Sequence, residues 1–271
     1  MNTLEIILPL RNPTAVIEGT VKSLAAQTDR RFSVLLSDNF STSGGEFFSS
    51  AEKQFEAAGI SVRRVRPPFE IGRVEHWNWA HHEAHAEWLK PVFAGDWLEP
   101  DYIAKLRLAS LTNPTCRYVY SSYVLHRVGY LPLTVKSVWS GGFRSAREMQ
   151  EVVLRYGMQF GPPSAAAYEK SVFVTCGGYA TSFPICADSL LFCAIASHFG
   201  ALGLAEPLCN FNIHGARFST GLGEKRRDTF RETLTYHSMI AYRAWAERAG
   251  FAWSSFARVL LRETRSYLRG R

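Results

Sequence analysis

Trp88-Leu89-Lys90-Pro91-Val92-Phe93-Ala94-Gly95-Asp96-Trp97-Leu98-Glu99-Pro100-Asp101 is the stretch on which the reading of this chain turns. Its first half is an apolar run of strand length, and the small pair Ala94-Gly95 then passes the chain to a single carboxylate, Asp96. In open α/β sheets ligands bind outside the carboxyl ends of the strands. A lone acid there can hold a cation that in turn holds phosphate oxygens. The competing reading is that Asp96 only caps a turn, with Pro100-Asp101 starting a helix through Tyr102, Ile103, Leu106 and Leu108.

Upstream, Leu4 to Pro9 reads as a strand, followed by the turn Leu10-Arg11-Asn12-Pro13-Thr14 and a helix from Ala15 to Ala25. A second strand, Phe32 to Ser37, runs into the acceptor-rich loop Asp38-Asn39-Phe40-Ser41-Thr42-Ser43-Gly44-Gly45. A helix from Glu46 to Ala58, a strand from Ile60 to Val65, a loop from Pro67 to Arg73 and a helix from Val74 to Ala86 complete the approach. This alternation predicts parallel strands with right-handed crossovers. Neither G-x-G-x-x-G nor G-x-x-x-x-G-K-[ST] is present, so dinucleotide and P-loop fingerprints are excluded.

Beyond Asp101 the pattern predicts a helix to Leu111, a strand from Tyr118 to Leu125, an irregular aromatic segment from Gly129 to Phe143 and a helix from Ala146 to Tyr156. Gly161-Pro162-Pro163-Ser164 and Cys176-Gly177-Gly178-Tyr179 are turns. Leu190 to Leu204 reads as a buried helix too short and interrupted to span a bilayer. Asn210 to Ser219 reads as a polar loop after a short strand.

The chain of 271 residues, 46% hydrophobic and 20% charged, has an ordinary globular composition. Its net charge of +7 is concentrated at one end: from Glu224 to Arg271 there are 11 Lys/Arg against 5 Asp/Glu, a balance of +6. The five cysteines show no C-x-x-C spacing and suit buried reduced thiols in a cytoplasmic protein. No secretory leader is expected at the start. His81 and His85 lie four apart, but H-x-E-x-H is not the zinc-protease H-E-x-x-H, and a solvated or stacked helix face is the better account.

Five short motifs in order, P-L-R-N from Pro9, S-L-x-x-Q-T from Ser23, S-D-N-F-S-T from Ser37, I-G-x-x-x-x-W-N-W-A from Ile71, and L-K-x-x-x-A-G-D-W-L-E-P-D from Leu89, resemble the nucleotide-sugar-binding half of family 2 glycosyltransferases. The G-x-x-S segment, the G-G-Y turn and the acid Asp188 resemble that family's acceptor half. The resemblance implies an α/β GT-A fold: a Rossmann-like mixed, mainly parallel sheet flanked by helices. It also implies an inverting, hexosyltransferase-like enzyme moving a sugar from a nucleotide-diphosphate sugar to a hydroxyl of a saccharide or lipid-linked saccharide, in polysaccharide or glycoconjugate synthesis.

By position in those motifs, Pro9, Leu10, Arg11, Asn12, Asp38 and Asn39 would line the nucleoside pocket, and Gly72, Arg73 and Asn78 would approach base and phosphates. Gly95 and Asp96 would face the diphosphate, with Asp96 and His214 ligating Mg²⁺ or Mn²⁺ and Arg217 clamping phosphate. Asp188 would be the base, against the plainer reading as an N-cap. Gly95 stands where a second acid is usual, and this weakens the expected metal site.

On this reading residues 1–222 form the GT-A domain, 1–110 its donor half and 111–222 its acceptor half. Residues 223–271 form a basic amphipathic helical tail that would touch the inner face of the cell membrane, pack on the domain, or join a homodimer. Nucleic acid is not expected as a partner. Two rivals remain: a catalytically silent nucleotide-sugar binder or assembly protein, and a nucleotidyltransferase, which ordinarily needs a glycine-rich basic loop that Leu10 to Thr14 does not provide.

Overall fold

The computed structural model describes residues 1–213 except 138 and 157–159, together with 231, 232, 234, 235 and 261. The chain begins β1 (Leu4–Leu10), α1 (Val16–Ala25), β2 (Ser33–Asp38), α2 (Gly45–Ala57), β3 (Ser61–Val65), α3 (Arg73–Glu83), β4 (Trp88–Pro91) and the two-residue β5 (Trp97–Leu98). It continues α4 (Tyr102–Thr112), β6 (Tyr118–Arg127), β7 (Leu133–Val135), β8 (Gly142–Arg144), α5 (Ala146–Tyr156) and a 3₁₀ turn at Pro163–Ala165. The last elements are β9 (Ala166–Glu169), α6 (Lys170–Thr175), α7 (Ala187–Phe199) and β10 (Ala201–Ile213).

All ten strands join one mixed, mainly parallel sheet in the order β3-β2-β1-β4-β9-β6-β10-β5, with β7 on β6 and β8 on β10. β1, β2, β3 and β4 are mutually parallel, as the alternation predicts. β9 runs antiparallel between β4 and β6 and joins them. Every residue of β1 and β4 is buried, as expected of parallel strands covered on both faces. Two charges are carried into this interior, and both are partnered. Glu5 pairs with Arg63 at 3.2 Å and accepts the His85 amide at 2.6 Å. Lys90 donates to the carbonyls of Pro91 and Ser164.

Several boundaries differ from expectation for identifiable reasons. The strand opening the key stretch ends at Pro91 rather than Phe93, because the chain turns there: Val92 still bonds Ile7, but Asp96 N–H reaches back to Phe93 O and Gly95 sits at φ 92°. α3 stops at Glu83 rather than Ala86, since Glu5 takes the His85 amide and Lys170 Nζ takes the carbonyls of His82 and Ala84. Residues 129–143 are not wholly irregular, as they supply β7 and most of β8. The apolar run from Leu190 is helical only to Phe199; Gly200, at φ 77°, turns it into β10. That strand is thirteen residues long and takes in Asn210 to Ile213, placed by sequence in a loop.

α3 packs against the turn Gly177-Gly178-Tyr179. Asn78 Oδ1 accepts the Tyr179 amide at 2.8 Å, and Asn78 Nδ2 donates to the Tyr179 carbonyl at 2.9 Å. Gly178 lies at φ 72°, and a Cβ there would stand 2.6 Å from Asn78 Oδ1. Gly178→Ala is expected to destabilise the protein by about 1–3 kcal/mol through combined strain and displacement of that clamp. Urea unfolding followed by tryptophan fluorescence checks this.

Candidate active site

The sequence-nominated residues gather in three linked groups along the carboxyl ends of the central strands. In the first, β1 and β2 end side by side. Pro9 and Leu10 are buried in β1, while Arg11 is exposed and paired with Glu70 at 2.5 Å. Asn12, at φ 45°, accepts the amides of Thr42 and Ser43 at 2.8 and 3.2 Å and shapes the loop after β2. Asp38 is fully buried, accepts the Ser41 amide at 2.9 Å and pairs with Arg64 at 2.5 Å. Burial opposes its charge, but the bonds from Ser41 and Arg64 outweigh that cost and hold its carboxyl below the usual value. Asn39 exchanges two hydrogen bonds with the backbone of Ile71 and so fixes the approach to Gly72, the residue preceding α3.

The second group surrounds Asp96. Its carboxylate is fully buried, accepts Ser164 Oγ–H at 2.6 Å through one oxygen and the Asn212 amide at 3.2 Å through the other. Asp96 joins β4's end, the 3₁₀ turn and β10, which are distant in sequence. Gly95 N–H bonds Thr20 Oγ1 at 3.0 Å, and Ser164 Oγ also accepts the Phe93 amide at 3.1 Å.

The third group surrounds Asp188, in the first turn of α7. Cys186, not Asp188, occupies the N-cap position, and Asp188 Oδ1 accepts the adjacent first-turn amide of Ser189 at 2.7 Å. Glu232 holds the segment leading into the helix, accepting the amides of Ile185 and Cys186 at 3.0 Å each. Arg73 donates to the Pro184 carbonyl and lies over the Trp77 ring, 4.5 Å from its centroid. Burial pushes the Asp188 carboxyl up to about 6, against the opposing pull of the Ser189 amide and Arg73. Trp77 meets Phe93 at 4.8 Å and Tyr179 at 5.5 Å, edge to face, so one aromatic row runs from the Asp96 turn to the Gly177-Gly178-Tyr179 turn.

Asn78 uses its amide oxygen and nitrogen to hold the Tyr179 backbone, fastening α3 to the Gly177-Gly178-Tyr179 turn. The histidine face expected to be solvated or stacked is stacked but not solvated at two positions, where His76 and His81 are buried. Burial drives His81 down to about 3, so it is neutral. Its Nδ1 faces the Trp77 carbonyl at 2.7 Å and must carry the proton; Nε2 then accepts from Tyr168 hydroxyl at 2.9 Å, which accepts in turn from Tyr179. His214, Arg217 and nearly all of the expected tail lie outside the described residues.

Sequence reasoning missed Lys90, Ser164 as a partner of Asp96, and Glu232. Lys90 was visible only as a cation in an apolar strand, a signal by itself of a buried and partnered charge. The tie from Glu232 to α7 crosses 46 positions, and no local pattern announces it.

No family model matches the chain, and no curated protein matches it. Solved structures that share its fold include a glycosyltransferase and a protein bound to a nucleotide sugar. Residues 1–349 of Staphylococcus aureus TarS, in complex with UDP-GlcNAc, superpose with a TM-score of 0.67 at 12% identity over 95% of this chain and 70% of that one. The mannosyltransferase PcManGT of Pyrobaculum calidifontis, in complex with GDP-Man and Mn²⁺, gives 0.60 at 20% identity over 95% and 67%. Longer TarS gives 0.60 over 89% of this chain and 39% of that one. The likeness establishes a GT-A-type α/β fold, as the motifs imply.

The residues at Asp96 bear on the metal carried by the second neighbour. Among the described residues no three His, Cys, Asp or Glu side chains gather as a ligand set. One carboxylate beside Gly95 fits only an ion held chiefly by a ligand's phosphate oxygens and water, a mode Mg²⁺ tolerates.

Lys90 supplies a pH test of this neighbourhood. Burial lowers it from 10.5 to about 7. The unfolded chain therefore binds more protons than the folded one between those values, and stability from this group rises as pH rises through that window. The wild-type minus Lys90→Met difference in unfolding free energy should climb from about pH 7 toward 10, by no more than about 1.4 kcal/mol per unit; urea melts across that range measure it.

Proposed function

We propose that this protein is an inverting glycosyltransferase that moves a sugar from a nucleotide-diphosphate sugar to a hydroxyl of a saccharide or lipid-linked saccharide. The observation that carries the reading is the Asp188 carboxyl, placed in the first turn of α7 and near Arg73, with its proton affinity raised to about 6. A base with that affinity is mostly ionised at neutral pH yet stronger than an ordinary carboxylate.

In the proposed step Asp188 accepts the proton of the acceptor hydroxyl as its oxygen bonds to the anomeric carbon. The bond from that carbon to the diphosphate oxygen breaks on the opposite face, and the electron pair leaves with the nucleoside diphosphate. The Asn12, Asp38 and Asn39 loop would receive the nucleoside, although Asp38's bonds to Ser41 and Arg64 suit it better to holding that loop than to direct contact. Asp96, with His214 if it reaches the site, would hold Mg²⁺ or Mn²⁺, which when bound neutralises charge on the departing diphosphate. Arg73, beside Asp188, is the cation of the described residues best placed to offset charge at the acceptor side.

We further propose that residues 1–222 act as one catalytic domain, with 1–110 and 111–222 as its halves. The tie from Glu232 to the start of α7 favours a tail packed on the domain at that point. A catalytically silent nucleotide-sugar binder is the second reading, favoured by Gly95 in the place of an acid and by the full burial of Asp96.

Thermal shifts with UDP-, GDP-, dTDP- and CMP-linked sugars, with Mn²⁺ and with EDTA, identify a donor. A ligand at 100 times its Kd adds about 2.7 kcal/mol. With that donor, Asp188→Asn should lower kcat about 10²-fold or more with little change in donor binding. The wild-type kcat/KM should fall as pH drops through about 6, where Asp188 gains its proton. Donor binding without transfer or slow donor hydrolysis would favour the silent binder, and normal transfer by Asp188→Asn would remove the base assignment.

A further inference from the structure

β6 and β7 form a hairpin whose tip is apolar and exposed: Val128 is 84%, Tyr130 70%, Leu131 90% and Leu133 59% accessible. Four neighbouring side chains of this kind exceed the scattered single residues normal on a surface. The tip is a formed turn, with Gly129 at φ 80° and the Tyr130 amide bonded to Arg127 O at 3.1 Å. Exposed cations flank the apolar residues, Arg127 in the turn itself, its guanidinium 5.5 Å from the Tyr130 ring, and Lys136 just beyond the Tyr123–Val135 pair, and no acidic residue occurs anywhere between Asp101 and Glu148.

Its position in the sheet is specific. β6 lies parallel to β10 with His126 opposite Asn212 and Arg127 opposite Ile213. Asn212 is the residue whose amide bonds Asp96, and His126 lies 4.6 Å from the Trp97 ring. The tip therefore projects from the same end of the sheet as the candidate site.

We propose that this hairpin tip is a membrane-docking element, its apolar residues entering the interfacial region of an anionic bilayer while Arg127 and Lys136 meet the lipid headgroups. Amphipathic elements bind bilayers through buried apolar area and attraction between cations and anionic lipid together, and the tip supplies both. Docking by this tip turns the sheet end that carries Asp96 toward the lipid surface. The orientation suits a lipid-linked acceptor, and in that purpose the inference rests on the transferase reading; the docking itself does not.

Flotation of the full chain with vesicles of phosphatidylcholine, alone or with phosphatidylglycerol, tests it without any donor present. The wild type should float with the anionic vesicles, less so in high salt. Leu131→Asp should reduce the bound fraction about tenfold or more, and Lys136→Glu should reduce it on anionic vesicles, while both variants keep the wild-type urea midpoint. No flotation of the wild type, or equal flotation of Leu131→Asp, would overturn the proposal, the second result assigning binding to another surface. A change from dimer to monomer in Leu131→Asp, seen by sedimentation velocity, with vesicle binding intact would also overturn it and make the tip a contact between copies. Because flotation is read without donor, its result is separable from any failure of the transferase reading.

Discussion

A carboxylate withdrawn from water must be matched by hydrogen-bond donors, and the full burial of Asp96 imposes that requirement on three parts of the chain at once. Ser164 donates from the 3₁₀ turn and Asn212 from the end of β10. Ser164 is fixed in turn, since its Oγ takes the Phe93 amide and its carbonyl takes Lys90 Nζ. An unmatched buried charge costs several kcal/mol, so the turn after β4, the start of β9 and the end of β10 are held in one arrangement. The candidate site is built at that junction.

α3 extends the same logic. Its apolar periodicity is weak, because four of its polar side chains are used inside the protein. His76 meets Ser37 on β2 at 2.7 Å, His81 sits in the Tyr168 and Tyr179 hydroxyl chain, Asn78 clamps the Tyr179 backbone, and Arg73 reaches Pro184 before α7. A satisfied polar network fixes relative position more sharply than apolar packing alone, since each bond tolerates little displacement. The Asp188 helix is thus positioned from α3 by Arg73 and from later in the chain by Glu232, through three hydrogen bonds on the consecutive residues Pro184 to Cys186.

The sequence by itself determined the fold class, the parallel run of β1 to β4 and most of the element boundaries there, because alternating apolar runs and turn residues are local signals with a fixed period. It also nominated Asp38, Asp96 and Asp188 by motif position. Tertiary structure alone decided what those acids touch: Asp38 is bound by Ser41 and Arg64, Asp96 joins three remote segments, and Asp188 accepts the Ser189 amide while Glu232 holds the residues before α7. It also set the length of β10 and the buried state of His76 and His81. The reason is physical: a hydrogen-bond partner dozens of residues away, and the desolvation that shifts a carboxyl or an imidazole, exist only once the chain has closed around them.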